Sequence, residues 1–453
     1  ADYSMETFMN NYDKPLSRKA EVMAGYERIK IMPQIPQEWI TEINEKRLDK
    51  HPLFKYLCRY KEHLKSGENK PEYHAPRAIR APMDGAIAYW GGTVHNIEHQ
   101  IFQTGKGCNY FVKNIDVMDR PRMIMERLGG ADHYYATDFT NYESSISSKL
   151  MSIVEHQVYQ YITSTNMEAR LKMKLMELCH SGWKTSSAHE VKSQYEGKRS
   201  SGELTTSLGN SLTTMFVYMH ICFRKGLHPR KFRGIFEGDD GLVALPKNII
   251  LTQADFAEYG LKAKLEEYSK VNEAHFCSLI FDPVNQTNLV NPIDTLVKFP
   301  WSRSKKRLAK KHKTLSALVR FAALSLLYQS PQCPVVSKLG CKMVELTEGV
   351  DADISESEWW HKNFLKGVDL QMLRPDIKAK VEAGVPMCNR ILVEEVFKIP
   401  ISTQLKLEDL IDRLSSINST IDFDISPYVS PDMSDCWNHY VVPSYSLPSL
   451  CKF

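Results

Sequence analysis

The sequence has no CxxC pair and no dense cysteine framework. Its ten cysteines (58, 108, 179, 222, 277, 333, 341, 388, 436 and 451) are scattered, which excludes a disulfide scaffold and argues against a zinc site. Free thiols in a reducing compartment are the expectation. Nor is there a strong charge of one sign: 58 Lys and Arg stand against 54 acids, a net of +4. That balance does not announce nucleic-acid binding, so any basic surface must be local. No apolar run is long enough to span a bilayer; the longest candidate, 318–328, has 11 residues and contains Arg320. No signal peptide is visible either, so a membrane anchor, if used, is expected elsewhere or on a partner. The chain starts at Ala1 rather than Met, and a processed product or a fragment is expected. Repeats and low-complexity segments are lacking, and Gly105-Lys106-Gly107 lacks the spacing of a P-loop.

What is present is an ordinary globular composition, with 43% hydrophobic and 25% charged residues among 453. That length gives room for about three domains or subdomains. The most distinctive stretch is 233–245, where two apolar, β-prone runs flank Gly238-Asp239-Asp240-Gly241. It reads as a β-hairpin with a two-residue loop, since Gly and Asp tolerate the positive φ of such turns. Two adjacent carboxylates at the tip repel unless a cation is near. An ordinary surface turn is the bland alternative.

Other segments frame this hairpin. Residues 71–83 are Pro-rich and extended, with Arg77 and Ile79 facing one way and Ala78 and Arg80 the other. Arginine forks suit phosphate oxygens, but a solvated edge strand protected by proline explains them too. Residues 85–107, with several glycines, read as loop, and 120–128 as a helix. The Tyr-rich run after His133 reads as a strand ending near Asp138, and helical spacing resumes at 144–162. Glu143 near that helix start has a plain explanation in the helix dipole, and Asp138 in a turn. Residues 200–203 read as a loop opening a helix from Leu204, with Thr206 and Asn210 on one face. A helix at 251–259 ends at Gly260, followed by strands at 261–267 and 274–281. From about 295 the chain reads as helical, including 359–373 and 406–417. The run 302–313 holds seven Lys and Arg with no acid, equally a solvated face or a nucleic-acid contact. From Ser426 onward, Pro, Ser and aromatics suggest an extended tail lying on the globule.

An acid at a strand end, a Ser-Gly loop opening a polar helix and a paired-Asp hairpin, in that order, are more specific together than singly. The arrangement resembles the palm of a viral RNA-dependent RNA polymerase. It is closest to the tombusvirus-like and nodavirus-like enzymes of positive-strand RNA viruses, with flavivirus-like enzymes more distant. Asp138-x4-Glu143 resembles motif A, Ser201-Gly202-x3-Thr206-x3-Asn210-Ser211 motif B, and Gly238-Asp239-Asp240 motif C. The segment 261–266 resembles motif D, Phe276-Cys277-Ser278 motif E, and Arg77 with Arg80 motif F.

The resemblance implies an α+β right-hand polymerase with fingers, a palm built on an antiparallel sheet with a ferredoxin-like core, and a helix-rich thumb. The expected boundaries are fingers at 1–130, palm at 131–143, more fingers and a palm helix at 144–197, palm at 198–295, thumb at 296–425 and a tail at 426–453. Asp138, Asp239 and Asp240, with the Phe139 carbonyl, would ligate Mg²⁺, for which Mn²⁺ can substitute. Lys264 would act as general acid toward pyrophosphate, with Lys262 as the fallback. Arg77 and Arg80 would hold the triphosphate, and Glu143 and Asn210 would select the ribose 2′-hydroxyl, supported by Ser201 and Thr206. Glu143 departs from the usual Asp and is one methylene longer, which leaves the direct ribose contact open. Arg303, Lys305, Lys306, Arg307, Lys310 and Lys311 would grip template and product RNA. Replication of a viral RNA genome from ribonucleoside triphosphates is implied. The expected setting is the host cytoplasm, at membrane-associated complexes anchored by a viral or host partner. A reverse transcriptase, or a catalytically silent RNA-binding replication scaffold, are the alternatives. Gly238 and Asn210 favour the RNA enzyme over the first, and the intact Asp set argues against the second.

Overall fold

The computed structural model describes residues 3–12, 14, 16–43, 45–64, 78–102, 110–113, 115–188, 191–299, 312–352 and 373–438. They divide into two compact units, one within 1–65, 77–114 and 127–269, the other within 115–126 and 270–453. The mixture of helix with mainly antiparallel sheet agrees with the α+β expectation.

The first unit carries two four-stranded sheets. One has the order β2-β1-β4-β5, from β1 (Arg59–Leu64), β2 (Ala78–Pro82), β4 (Trp183–Ala188) and β5 (Val191–Glu196). Its pairs are antiparallel except β1 with β4. The other is wholly antiparallel, in the order β6-β7-β3-β8, from β3 (His133–Phe139), β6 (Arg233–Glu237), β7 (Asp240–Leu245) and β8 (Ala263–Tyr268). The apolar runs around Asp239 build its centre: every residue of β7 after Asp240 is buried, as a strand covered on both faces must be. The helix Thr206–Arg224 supplies Leu212, Met215 and Tyr218 to the same core as Tyr135, Phe139 and Phe236. Burying each such side chain stabilises the fold by roughly 1.5–3 kcal/mol before entropy is counted.

Residues 85–107 correct the loop expectation, because Asp84–Phe102 is one helix. Its glycines serve close packing, not turning. A Cβ on Gly85 would lie 2.6 Å from the Gly25 carbonyl oxygen, and one on Gly91 would lie 2.5–2.7 Å from the Phe8 ring. Helical spacing at 144–162 is broken into the helices Tyr142–Ser145, Ser148–Ile153 and Glu155–Ile162.

The second unit pairs β9 (Ile280–Asp282) with β10 (Thr287–Leu289) and packs helices around Val336, Leu339, Met343, Val393 and Leu407. Phe276-Cys277-Ser278 is not strand as expected. Cys277 and Ser278 have φ of 52° and 62°, and Phe276 and Leu279 exchange backbone bonds of 3.0 and 3.1 Å around them. That is a two-residue turn leading into β9. The segment after Ser426 is not merely extended: it forms the helix Pro431–Cys436, with Met433 buried and Trp437 packed on this core. The helix expected at 359–373 falls outside the described residues except for Leu373. Among the described residues no helix is long and apolar enough to cross a membrane, and seven cysteines are free thiols.

Candidate active site

The hairpin closes on the pair Glu237–Asp240, leaving Gly238 and Asp239 as the two-residue loop. Gly238 has φ +65° and open space where a Cβ would sit, so glycine is there for its backbone conformation. The Thr206–Arg224 helix holds this turn from both sides. The Gly238 N–H donates to Ser211 Oγ at 2.8 Å, and Thr214 Oγ1 donates to the Gly238 carbonyl at 3.1 Å. Ser211 Oγ donates in turn to the Ser207 carbonyl at 2.8 Å. Thr214 also shares a 2.7 Å bond with the Tyr142 hydroxyl, whose ionisation burial pushes well up. Sequence reading placed Ser211 inside a motif without a role and passed over Thr214. The available signal was the hydroxyl stripe Ser207, Ser211, Thr214 and Tyr218 at helical spacing. Ser211→Ala orphans the Gly238 N–H and is expected to cost about 1–3 kcal/mol in denaturant unfolding; unchanged stability would discount the tether.

The acidic residues converge by register. Thr137 pairs with Gly241, so the next step along β3 and β7 sets Asp138 level with Asp240. On the other side of β3, Asp138 pairs with Lys264 of β8. Alternation separates the two faces. Tyr135 and Phe139 point into the core, and Thr137 accepts a 2.9 Å bond from the Tyr218 hydroxyl. Asp138 lies on the opposite face and is exposed. Lys264 is exposed there too and pairs with Glu266 at 3.2 Å. The register thus sets Asp138, Asp240 and Lys264 at one end of the sheet, beside the Gly238–Asp239 turn.

A second group lies on the helix side. Asn210 is 2% exposed, and its Nδ2 donates to Glu143 Oε1 at 3.4 Å. Its Oδ1 is buried and has no hydrogen-bond partner among the described residues. Ser201 Oγ donates to the Ala78 carbonyl at 3.0 Å, and the Gly202 N–H donates to the Arg80 carbonyl at 3.0 Å. This docks the 201–202 loop on the strand that carries Arg80. Arg80 itself is bonded through Nε to Glu62 Oε2 at 2.7 Å and stacks over Tyr195 at 4.6 Å. Thr206 Oγ1 serves the loop, donating to the carbonyls of Ser200 and Glu203 at 3.2 and 2.9 Å. Arg77, Arg303, Lys305, Lys306, Arg307, Lys310 and Lys311 lie outside the described residues.

The donor set at the strand ends is oxygen only, which suits a hard divalent cation and not zinc. Among the described residues no three His, Cys, Asp or Glu side chains are gathered as a ready metal cage. Like-charged carboxylates without a counter-ion are expected to stand apart.

The sequence profile described as viral RNA dependent RNA polymerase matches residues 136–418, more than half of the chain. The chain therefore belongs to the viral RNA-dependent RNA polymerase family, of the tombusvirus-like and nodavirus-like kind. It is an RNA-directed RNA polymerase, with RNA and ribonucleoside triphosphates as substrates. The match takes in Asp138, Glu143, Asn210 and Asp239 but not Arg80. No curated protein matches the chain significantly.

Proposed function

We propose that the chain copies a viral RNA genome by nucleotidyl transfer at the strand ends that carry Asp138 and Asp239–Asp240. The observation that carries this reading is the register, which puts acids from two separate segments at one end of one sheet. Asp138, Asp239 and Asp240, with the Phe139 carbonyl, would hold Mg²⁺, or Mn²⁺ in its place. Two such ions, when bound, supply a clamp on the attacking and leaving oxygens. The protein's own part is to aim the substrates. Arg80, with Arg77, steadies the triphosphate, and Lys264 on the open face delivers a proton to the departing pyrophosphate. In this reading the unit holding both sheets contributes palm and fingers, and the second unit the thumb. Membrane attachment at cytoplasmic replication sites would come from a partner.

Asn210 decides between ribose and deoxyribose. Its buried, unpartnered Oδ1 suits a 2′-hydroxyl donor, and its Nδ2 is already engaged by Glu143. Glu143 therefore acts through Asn210, which accounts for a longer acid where Asp is usual. The test is incorporation by the purified chain on RNA and DNA templates, with ribonucleotides and deoxyribonucleotides supplied separately and Mg²⁺ or Mn²⁺ present. Ribonucleotide incorporation on RNA is expected. Deoxyribonucleotide preference would move the reading to reverse transcription, and silence with primer and both metals would favour a scaffold. Asn210→Ala is expected to cut the ribose preference about tenfold, the worth of one hydrogen bond.

A further inference from the structure

Beneath the 200–202 loop lies a buried charged cluster that the proposed chemistry does not use. Lys184 of β4 is fully buried. Its ammonium donates to the Lys198 carbonyl at 2.8 Å and pairs with the Glu203 carboxylate at 2.7 Å. Residues 199–202 therefore leave and return to one cation. The Tyr60 hydroxyl donates to the same carboxylate at 3.2 Å, and the Tyr60 and Tyr195 rings lie 5.3 and 5.9 Å from the ammonium. Within the loop, Arg199 pairs with Glu155, and Ser200 shares a 2.8 Å bond with the Tyr195 hydroxyl. The outer side of the loop is laid on β2: a Cβ on Gly202 would lie 2.8 Å from the Arg80 carbonyl oxygen.

The charges balance. Two cations, Lys184 and Arg199, face two anions, Glu155 and Glu203. Burial would raise the Glu203 carboxyl, but the cations Lys184 and Arg199 act against it and favour the charged form. Burial pushes His180 well below its ordinary value and His156 down to about 4. A buried ion pair is a poor means of stabilisation, since apolar residues of similar volume often serve as well or better; fixing a register is its best-attested use. Here the register is that of the 199–202 loop against β2, to which the pair adds a hold at both ends of the loop.

We propose that Lys184 and Glu203 are positioning residues, a clamp that sets Ser201 and Gly202 against the Arg80 strand and so shapes the site for the incoming nucleotide. The inference rests on the reading of Ser201 and Arg80 as nucleotide-binding. Its test compares wild type with Lys184→Met and with the double variant Lys184→Met/Glu203→Gln, which restores charge balance without restoring the clamp. All are assayed below their melting temperatures. Each is expected to raise KM for the ribonucleoside triphosphate about tenfold or more with kcat per folded molecule within about threefold. The double variant should recover melting temperature but not KM. Hydrogen exchange gives a readout independent of activity: the Gly202 amide should lose protection in both variants while the Gly238 amide keeps it. Unchanged KM and Gly202 protection, with only the melting temperature lowered, would overturn the clamp and leave a structural ion pair. An inactive wild type, or an active Asp239→Ala, would instead overturn the polymerase-site reading, and Gly202 exchange would still decide the clamp.

Discussion

Asp239→Ala is expected to lower ribonucleotide incorporation by at least about a thousandfold, because a lost metal ligand removes several kcal/mol of transition-state stabilisation and each 1.36 kcal/mol is tenfold. The fold should not suffer. Asp239 sits in a two-residue turn whose neighbouring Gly238 backbone is bonded at both its N–H and its carbonyl by Ser211 and Thr214. Removing one of three neighbouring negative charges relieves repulsion when no cation is present. The metal-free variant should therefore melt at the wild-type temperature or slightly above. Divalent metal separates this from a structural role. A cation that binds only the folded state raises the melting temperature with concentration. Mg²⁺ or Mn²⁺ should raise it for wild type and much less for Asp239→Ala. Equal metal shifts with retained incorporation would remove Asp239 from the site and leave Asp138 and Asp240 to be tested. Asp240→Asn, at the hairpin's first strand position, should give a smaller loss than Asp239→Ala.

The site's strands were legible because their chemistry is local. Gly238-Asp239 between apolar runs specifies a primed turn, and β-prone residues on either side specify its strands. The polar helix was legible too, since Thr206 and Asn210 recur at its spacing. Glycine misled where it was counted as a breaker. Gly85, Gly91 and Gly92 lie in a helix whose neighbours approach too closely for a side chain, and nothing in 85–107 alone reveals Gly25 or Phe8. The apolar run misled differently at 274–281, read as one strand, where positive φ values at Cys277 and Ser278 make a turn before the strand begins at Ile280. The buried cluster was invisible for a third reason. Lys184, Arg199 and Glu203 belong to types that are almost never fully buried unless paired, and pairing across 19 residues from Lys184 to Glu203 leaves no periodic trace.

That cluster also makes Gly209→Ala strongly destabilising. Gly209 is in the fourth position of the Thr206–Arg224 helix, and in an exposed helix the change to Ala would add about 1 kcal/mol of stability. Here the sign should reverse. A Cβ at 209 would collide with the Glu155 carboxylate and lie 2.6 and 2.7 Å from the two terminal nitrogens of Arg199. Ends of long side chains normally swing aside at little cost. These cannot, because both side chains are wholly buried, and moving either one separates the pair. Breaking a buried pair costs about 3–5 kcal/mol, well above the propensity gain. Urea unfolding should therefore show a net loss of about 2–4 kcal/mol, with the slope against denaturant unchanged. The Tyr159 hydroxyl, which donates to Glu155 at 2.9 Å, offers a control: Tyr159→Phe removes one bond and keeps the ion pair, so its loss should be nearer 1 kcal/mol. A stability gain in Gly209→Ala would mean that the pair can move, and that the glycine is there for some other reason than the room it leaves Glu155 and Arg199.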